Sequence, residues 1–334
     1  MSTRDLALIG AGYWGKNLAR NFHALGALHT LADLSSTILG TYGAEYADVR
    51  KTQSIDQVWS DPAITRVAIA APAVLHYQLA KTALLAGKDV FVEKPLCLDP
   101  VEAQELIDLA AIHQRILMVG HLLQYHPLVQ KLQHLVAAGE LGTLHYLTSN
   151  RLNLGKIRRE ENALWSFAPH DISVILSLAG NRLPQQIQCT GGAYISEGVA
   201  DTTMTTMAFT GGLRAHVYVS WLNPFKEQKL TVVGSKGMAV FDDTRPWAEK
   251  LSLYRNYLKQ DADLNHVPTK AAVEYMVVPE SEPLRAECQH YLDSCRQRSQ
   301  PRTDGCEGLR VLRVLQTAQS SLDHKAGPQA IDAL

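Results

Sequence analysis

Apolar and polar positions change rhythm partway along this 334-residue chain. Up to about His121, short apolar runs alternate with stretches whose apolar residues recur every three or four positions, the periods of buried strands and amphipathic helices. The runs cover residues 6–9, 27–32, 66–71, 89–93 and 116–120. Between them the pattern predicts a helix with Leu18, Phe22 and Leu25 on one face that stops at Gly26, and another over 74–86 that Gly87 terminates. A third helix runs to about residue 113, with Asp99 as N-cap, Pro100 in the first turn and Glu102 as the capping-box acid. Strand and helix in alternation predict a parallel sheet covered on both faces.

Beyond His121 the pattern changes. A helix over 127–138 ends at Gly139, a strand covers 144–152, and a polar, basic stretch leads to a helix over 165–178. Runs of β character follow at 185–193, 202–209, 213–221, 229–233 and 238–242, linked by Gly211-Gly212 and by Ser235-Lys236-Gly237. Links this short between consecutive strands make hairpins, hence an antiparallel sheet. Amphipathic helices over 284–295 and 307–321 close the chain. The expected fold class is α/β over residues 1–121, followed by an α+β domain with a large, mostly antiparallel open sheet over 122–334.

The first strand runs directly into Gly10-Ala-Gly12-Tyr13-Trp14-Gly15 and then into a helix, the context that makes this glycine spacing a dinucleotide fingerprint. Its glycines allow the tight turn, the approach of a pyrophosphate to the backbone, and close packing of helix on strand, while the helix N-terminus faces the phosphates. The first domain is therefore expected to be a Rossmann NAD-binding domain. Asp33 ends the second strand 23 residues beyond Gly10, where an acid binds the adenosine ribose. A carboxylate there repels a 2′-phosphate, and Leu34-Ser35-Ser36-Thr37 offers no cation to receive one, so NAD is expected over NADP. The alternative reading of Asp33 is an acid that merely opens a turn. Gly10, Asp33, Pro72, Lys94 and His121 all fall at strand carboxyl ends, where ligands of such sheets bind.

Composition narrows the class. With 46% hydrophobic and 19% charged residues and a net charge of −1, the chain is ordinary globular material with no electrostatic case for nucleic acid or an anionic membrane as partner. No apolar run reaches the roughly 18 residues of a spanning helix, and the first residues do not read as a signal peptide, so a cytoplasmic protein without membrane insertion is expected. Five cysteines without a CxxC pair suggest neither zinc nor disulfides, and thirteen histidines form no metal-spaced cluster, so no metal site is expected.

These features resemble the glucose-fructose oxidoreductase / inositol dehydrogenase / rhizopine catabolism (Gfo/Idh/MocA) family over nearly the whole chain. The residues that carry the resemblance are Gly10-Ala-Gly-Tyr-Trp-Gly15, Ala71-Pro72-x-x-x-His76, Ala86-Gly-Lys-Asp-Val-Phe-Val-Glu93-Lys94-Pro95 and Gly139-Glu-Leu-Gly142. The resemblance implies that Tyr13, Trp14, Ala71, Pro72, His76 and Glu93 join the glycines and Asp33 around NAD. It also implies that Lys94 lies beside the nicotinamide and the substrate hydroxyl, and that His170, ten residues before Gly180, takes the hydroxyl proton. Many members carry an aspartate four residues before that histidine; here Ser166 stands there, so whether Ser166, Asp171 or another group takes the helper's place stays open. Stretches 149–158, 165–171, 221–226 and 304–310 resemble the bacterial branch that oxidises C3 of nucleotide-linked N-acetyl sugars ahead of a PLP-dependent aminotransferase. That branch implies UDP-N-acetylglucosamine as substrate, a place in lipid A (lipopolysaccharide) synthesis, and a homo-oligomer, dimer or tetramer.

The chemistry can be weighed on its own. Oxidising a secondary alcohol requires a proton acceptor, for which an imidazole is suited, and His170 fits. Lys94 fits a donor to the developing alkoxide. Arg151, Lys156, Arg158 and Arg159 are candidates to grip a substrate diphosphate, or else form a solvated loop. Tyr146, Asn150 and Asn153 flank that stretch as candidates for sugar or base contacts, and His121 is a further substrate candidate; His76, His121 and His126 could equally be structural. Three rival readings stay open: a dehydrogenase of UDP-N-acetylglucosaminuronate, one acting on a free polyol or monosaccharide, and a non-catalytic NAD-binding regulator. Retention of both Lys94 and His170 argues against the last.

Overall fold

The computed structural model describes residues 4–155, 157–324, 327 and 329–331, so Lys156 lies outside the described residues. Two compact units result, Met1–Tyr125 with Glu282–Leu312, and His126–Ser281 with Arg313–Leu334.

Six strands form the first unit's sheet: β1 (Leu6–Ile9), β2 (Leu28–Ala32), β3 (Arg50–Thr52), β4 (Arg66–Ile69), β5 (Asp89–Glu93) and β6 (Leu117–Gly120). They lie in the order β3-β2-β1-β4-β5-β6, every pair parallel. Helices α1 (Gly15–Ala24), α2 (Ser36–Gly40), α3 (Asp56–Ser60), α4 (His76–Leu85) and α5 (Pro100–Ile112) make the connections. Every residue of β1 and β5 is buried, as unbroken apolar runs in a doubly covered parallel sheet must be. Asp99 caps α5 by accepting from the Val101 amide at 2.8 Å, and Pro100 sits in the first turn, where its missing N–H is not needed. Because β1 is flanked by β2 on one side and β4 on the other, the strand order reverses beside it, which opens the ligand crevice at the carboxyl ends.

The second unit begins with α6 (Pro127–Ala137), β7 (Leu144–Leu154) and α7 (Ala163–Leu178). It continues through β8 (Gln186–Gly192), β9 (Thr202–Ala208), β10 (Arg214–Ser220), β11 (Leu222–Gly234), β12 (Gly237–Asp242), β13 (Leu251–Tyr254), β14 (Leu258–Gln260), β15 (His266–Pro268), β16 (Val273–Tyr275) and β17 (Gln329–Ala330). Nine of these form one sheet, β16-β13-β12-β11-β7-β10-β9-β8-β17, in which β7 and β10 pair in parallel and the other neighbours are antiparallel. The hairpins foreseen at Gly211-Gly212 and Ser235–Gly237 join β9 to β10 and β11 to β12. Strand β11 starts at Leu222, seven residues before the position the pattern suggests. Pro224 and the charged Lys226 and Glu227 hid it, and the register to β7 shifts between Leu222 and Glu227, which breaks the period of two.

The division between units is not collinear with the chain. α8 (Pro283–Gln297) returns to the first unit, and α9 (Gly305–Asp323) starts in it and ends in the second. The stripe Leu284, Cys288, Tyr291, Leu292 and Cys295 buries α8 in the first unit's core, where the Tyr291 ring lies 6.3 Å from Phe22 and 5.7 Å from Phe91. The sequence pattern assigns everything after residue 121 to a second domain, because an amphipathic helix shows which face it buries but not against which core.

Candidate active site

In the first unit the glycine loop has the shape a dinucleotide requires. Gly10 has φ 86°, and a Cβ at Gly15 would stand 2.0 Å from the Gly10 carbonyl oxygen, so both positions need glycine. No side chain caps the N-terminus of α1, and a Cβ at Gly12 would meet nothing within 4 Å, which leaves room for a pyrophosphate there. Asp33 accepts from the amides of Ala11 at 2.8 Å and Ser35 at 2.9 Å, and the Tyr42 hydroxyl donates to the Ala11 carbonyl at 2.8 Å. The turn-opening role of Asp33 is therefore present and also braces the loop, while its half-buried carboxylate stays accessible to a ribose. Tyr13 is 87% exposed. These residues fit NAD.

At the end of β5, Glu93 is buried and its carboxylate accepts from the Trp14 indole N–H, tying the strand end to the glycine loop. Burial pushes the Glu93 carboxyl up to about 7, against the opposing pull of the Trp14 bond and the Lys94 charge. Next along the chain, Lys94 is half-buried. His76 lies 2.7 Å from the Pro95 carbonyl and 2.8 Å from the Ala71 carbonyl, and burial lowers its pKa. A neutral ring carries one N–H, so His76 donates to one of these carbonyls and packs against the other, between the segments after β4 and β5 at the base of the lysine's loop. Pro72 sets the turn into α4 by accepting from the Leu75 amide at 2.9 Å. His121 is 1% exposed and pairs through Nδ1 with Glu307 at 2.6 Å, so the expected substrate contact is replaced by an interior one.

The second unit carries His170 on α7, half-buried, with Nδ1 shielded from solvent. Asn162 caps α7 through the Trp165 amide at 3.2 Å, and Gln319 accepts from both Asn162 at 2.8 Å and the Trp165 indole at 3.0 Å, which pins the helix start. Pro169 removes a backbone donor immediately before His170. One helical turn back, Ser166 shares His170's face, whereas Asp171 points about 100° away. The Asp171 carboxylate accepts from Ser149 Oγ at 2.8 Å and from Arg151 Nε at 2.6 Å. Asp171 therefore fastens α7 to β7, and the reading in which it assists His170 is corrected.

That pairing also reassigns the basic stretch. Arg151 is held by Asp171 rather than offered to a diphosphate, and Arg158 pairs with Glu161 at 2.9 Å near the surface. Arg159 is exposed. On β7, Tyr146 and Asn150 alternate with Ser149 and Arg151 and so stand on the face turned away from α7; Asn150 donates to Glu227 at 2.9 Å. The structure does not bring those two together with His170, while Asn153, on the same face as Arg151, keeps a buried Oδ1 without a hydrogen-bond partner among the described residues. His126 caps α6, accepting from the Leu128 amide, and stacks on Trp247 at 5.3 Å; burial brings its pKa down to about 4. The reading of the sequence missed Glu287 and Glu307, although Glu287 interrupts an otherwise apolar stripe on α8. Among the described residues no His/Cys/Asp/Glu group could hold a metal, and no helix is long and apolar enough to cross a membrane.

A glycine-loop dinucleotide site on a parallel sheet, joined to a second sheet unit with a helical histidine, defines an NAD-dependent oxidoreductase. The family model for an oxidoreductase family with an NAD-binding Rossmann fold matches residues 4–121, and that for the GFO/IDH/MocA C-terminal domain matches 129–240. The chain belongs to the Gfo/Idh/MocA family. UDP-N-acetylglucosamine 3-dehydrogenase from Acidithiobacillus ferrooxidans is 28% identical over 214 residues, 64% of this chain and 66% of that enzyme. A solved structure of that enzyme superposes with a TM-score of 0.83 at 23% identity, over 97% of this chain and 99% of the other. Levoglucosan dehydrogenase in complex with NADH and levoglucosan gives 0.83 at 18% identity, over 98% and 99%.

Proposed function

We propose that this enzyme oxidises the 3-hydroxyl of UDP-N-acetylglucosamine to the 3-keto sugar, as a soluble cytoplasmic homo-oligomer whose product feeds a PLP-dependent aminotransferase in lipopolysaccharide synthesis. The observation that carries the reading is the similarity to a dehydrogenase of that sugar nucleotide, in a chain that keeps both Lys94 and His170. NAD+, when bound, supplies the hydride acceptor. His170 takes the hydroxyl proton, and Lys94 donates to the oxygen as it becomes an alkoxide, acting by charge rather than as the base. Arg158 and Arg159 contact the diphosphate; the half-buried Arg158–Glu161 pair exchanges its carboxylate for a phosphate there, and Asn153 flanks them on β7. All five cysteines are free thiols, which suits a reducing compartment.

A second reading, oxidation of a free polyol or monosaccharide, is favoured by one observation: Asp171 withdraws Arg151 from any diphosphate. Absorbance of NADH formed from NAD+ with a panel of UDP-sugars and free sugars separates the two. Turnover of UDP-N-acetylglucosamine well above the rest supports the proposal, and preference for an unphosphorylated sugar overturns it.

A further inference from the structure

Behind the glycine loop the first unit holds three buried glutamates, Glu93 at the end of β5, Glu287 on α8 and Glu307 on α9. Glu307 has His121 as a partner. Glu93 has the Trp14 indole and, at 3.3 Å, the Lys94 amide. A Cβ at Gly120, its neighbour on β6, would stand 3.0 Å from the Glu93 carboxylate, so glycine there makes room for it. Glu287 is 1% exposed and, among the described residues, neither of its oxygens has a hydrogen-bond partner. A carboxylate so placed would bear the full penalty of a buried, unpaired charge, so Glu287 is a neutral acid. Burial, and then the charges of Glu93 and Glu307, push its pKa well above the ordinary carboxyl range.

We propose that Glu93 follows the charge of the bound cofactor, taking up a proton when NADH replaces NAD+, while Glu287 stays protonated and denies the pocket a second negative charge. Oxidation of an alcohol moves two electrons and one proton to the nicotinamide as hydride and releases the hydroxyl proton; the ring loses its positive charge. An anion at a strand carboxyl end is then less stabilised and binds a proton more tightly. Up to one proton per turnover is held on Glu93 until NADH leaves, instead of passing to solvent. With its carboxyl pushed up to about 7, Glu93 titrates where such a change alters its occupancy.

The charged and titratable neighbours are Lys94 beside it, His121 beyond β6 with its partner Glu307 on α9, and Glu287 with Cys288 on α8, whose thiol burial keeps protonated. Further out, His76 on α4 is held neutral by burial, and Tyr125 keeps its proton for the same reason. Glu93 is the one anion among them that reaches the glycine loop directly, through Trp14.

The inference rests on the NAD site and not on the sugar nucleotide, so its test contains no sugar. Calorimetric titration of the full chain with NAD+ and with NADH, in buffers of different ionisation enthalpy, counts protons exchanged. At about pH 7.5, NADH is expected to bring in roughly half a proton more than NAD+, and the ratio Kd(NADH)/Kd(NAD+) to rise roughly five- to tenfold between about pH 6 and 9. Below the midpoint Glu93 is neutral and indifferent to the cofactor's charge; above it the anion favours NAD+. Glu93→Gln should flatten both signals and Glu287→Gln should leave both in place. Trp14→Phe, which removes a bond that favours the anion, should move the midpoint to higher pH even if Glu93→Gln fails to fold. A pH-independent ratio, a midpoint unmoved by Trp14→Phe, or loss of the signal in Glu287→Gln overturns the proposal.

Discussion

Single residues carry the chemistry, and two of them have a second duty that their variants must be read against. Asp33, whose proposed role is to oppose a 2′-phosphate, also accepts two amides that hold the glycine loop in shape. Asp33→Ala is expected to narrow the preference for NAD over NADP while weakening both cofactors and lowering stability by about 1–3 kcal/mol. Steady-state kinetics with each cofactor and urea unfolding check this; equal efficiency with both in the unaltered protein removes the charge argument. For His170 and Lys94 the proposed roles lie in the transition state, so either loss should lower kcat far more than it raises KM. His170→Ala should cost roughly 10²–10⁴ in kcat and Lys94→Ala on the order of 10²–10³. The acid limb of the kcat profile should vanish with His170, and near-normal turnover in His170→Ala would end its assignment as base.

Among elements, α7 and β7 show what a linear reading reaches and where it stops. The helix was legible because its residues are apolar nearly all round, and His170 stood out by its spacing from Gly180. The Arg151–Asp171 pair was not legible, since it depends on β7 and α7 meeting face to face across 20 positions of chain. For the same reason Tyr146 and Asn150 read as site residues until strand alternation put them on the other side of the sheet. The glycine loop and the Asp33 turn were readable because local backbone geometry sets them; the burial of His76 and His121 was not, because burial is a tertiary property. This gives opposite expectations for two arginines. Arg151→Ala strands a buried Asp171 and should destabilise the protein by about 3–5 kcal/mol, seen as a lower urea midpoint. Arg158→Ala should leave stability within about 0.5 kcal/mol and raise the substrate KM roughly ten- to a hundredfold. Unchanged KM in both Arg158→Ala and Arg159→Ala would favour an unphosphorylated substrate.

For the molecule as a whole, the notable feature is a chain that leaves its first unit and comes back to complete it. Without α8 that unit would lack Tyr291, one of three interlocked rings at its centre, and the Arg298–Asp89 pair beside it. The returning helix also brings Glu287, and with it a pH dependence of stability whose sign can be worked out. Glu93 and Glu287 both have folded pKa values above the ordinary 4.5, so the native state holds more protons than the unfolded chain, and stability falls as pH rises. For Glu93 the fall runs from about 4.5 to about 7 and then stops; for Glu287 it continues to higher pH. His126 works the other way, since a folded pKa of about 4 against 6.5 makes stability fall as pH drops through that interval. Its contribution opposes that of Glu93 in acid and is constant above neutrality, where Glu287 is left to decide. Glu287→Gln keeps the shape and removes the titration, so it should match the parent near pH 5 and gain on it by about 1.4 kcal/mol for each pH unit above that over which Glu287 stays protonated. Amide exchange in β5 and β6 confines the measurement to the first unit, which urea unfolding of a two-unit chain does not. A variant that instead loses stability relative to the parent as pH rises would mean that Glu287 is ionised in the native state and stabilised by a positive partner, contrary to its environment between Glu93 and Glu307.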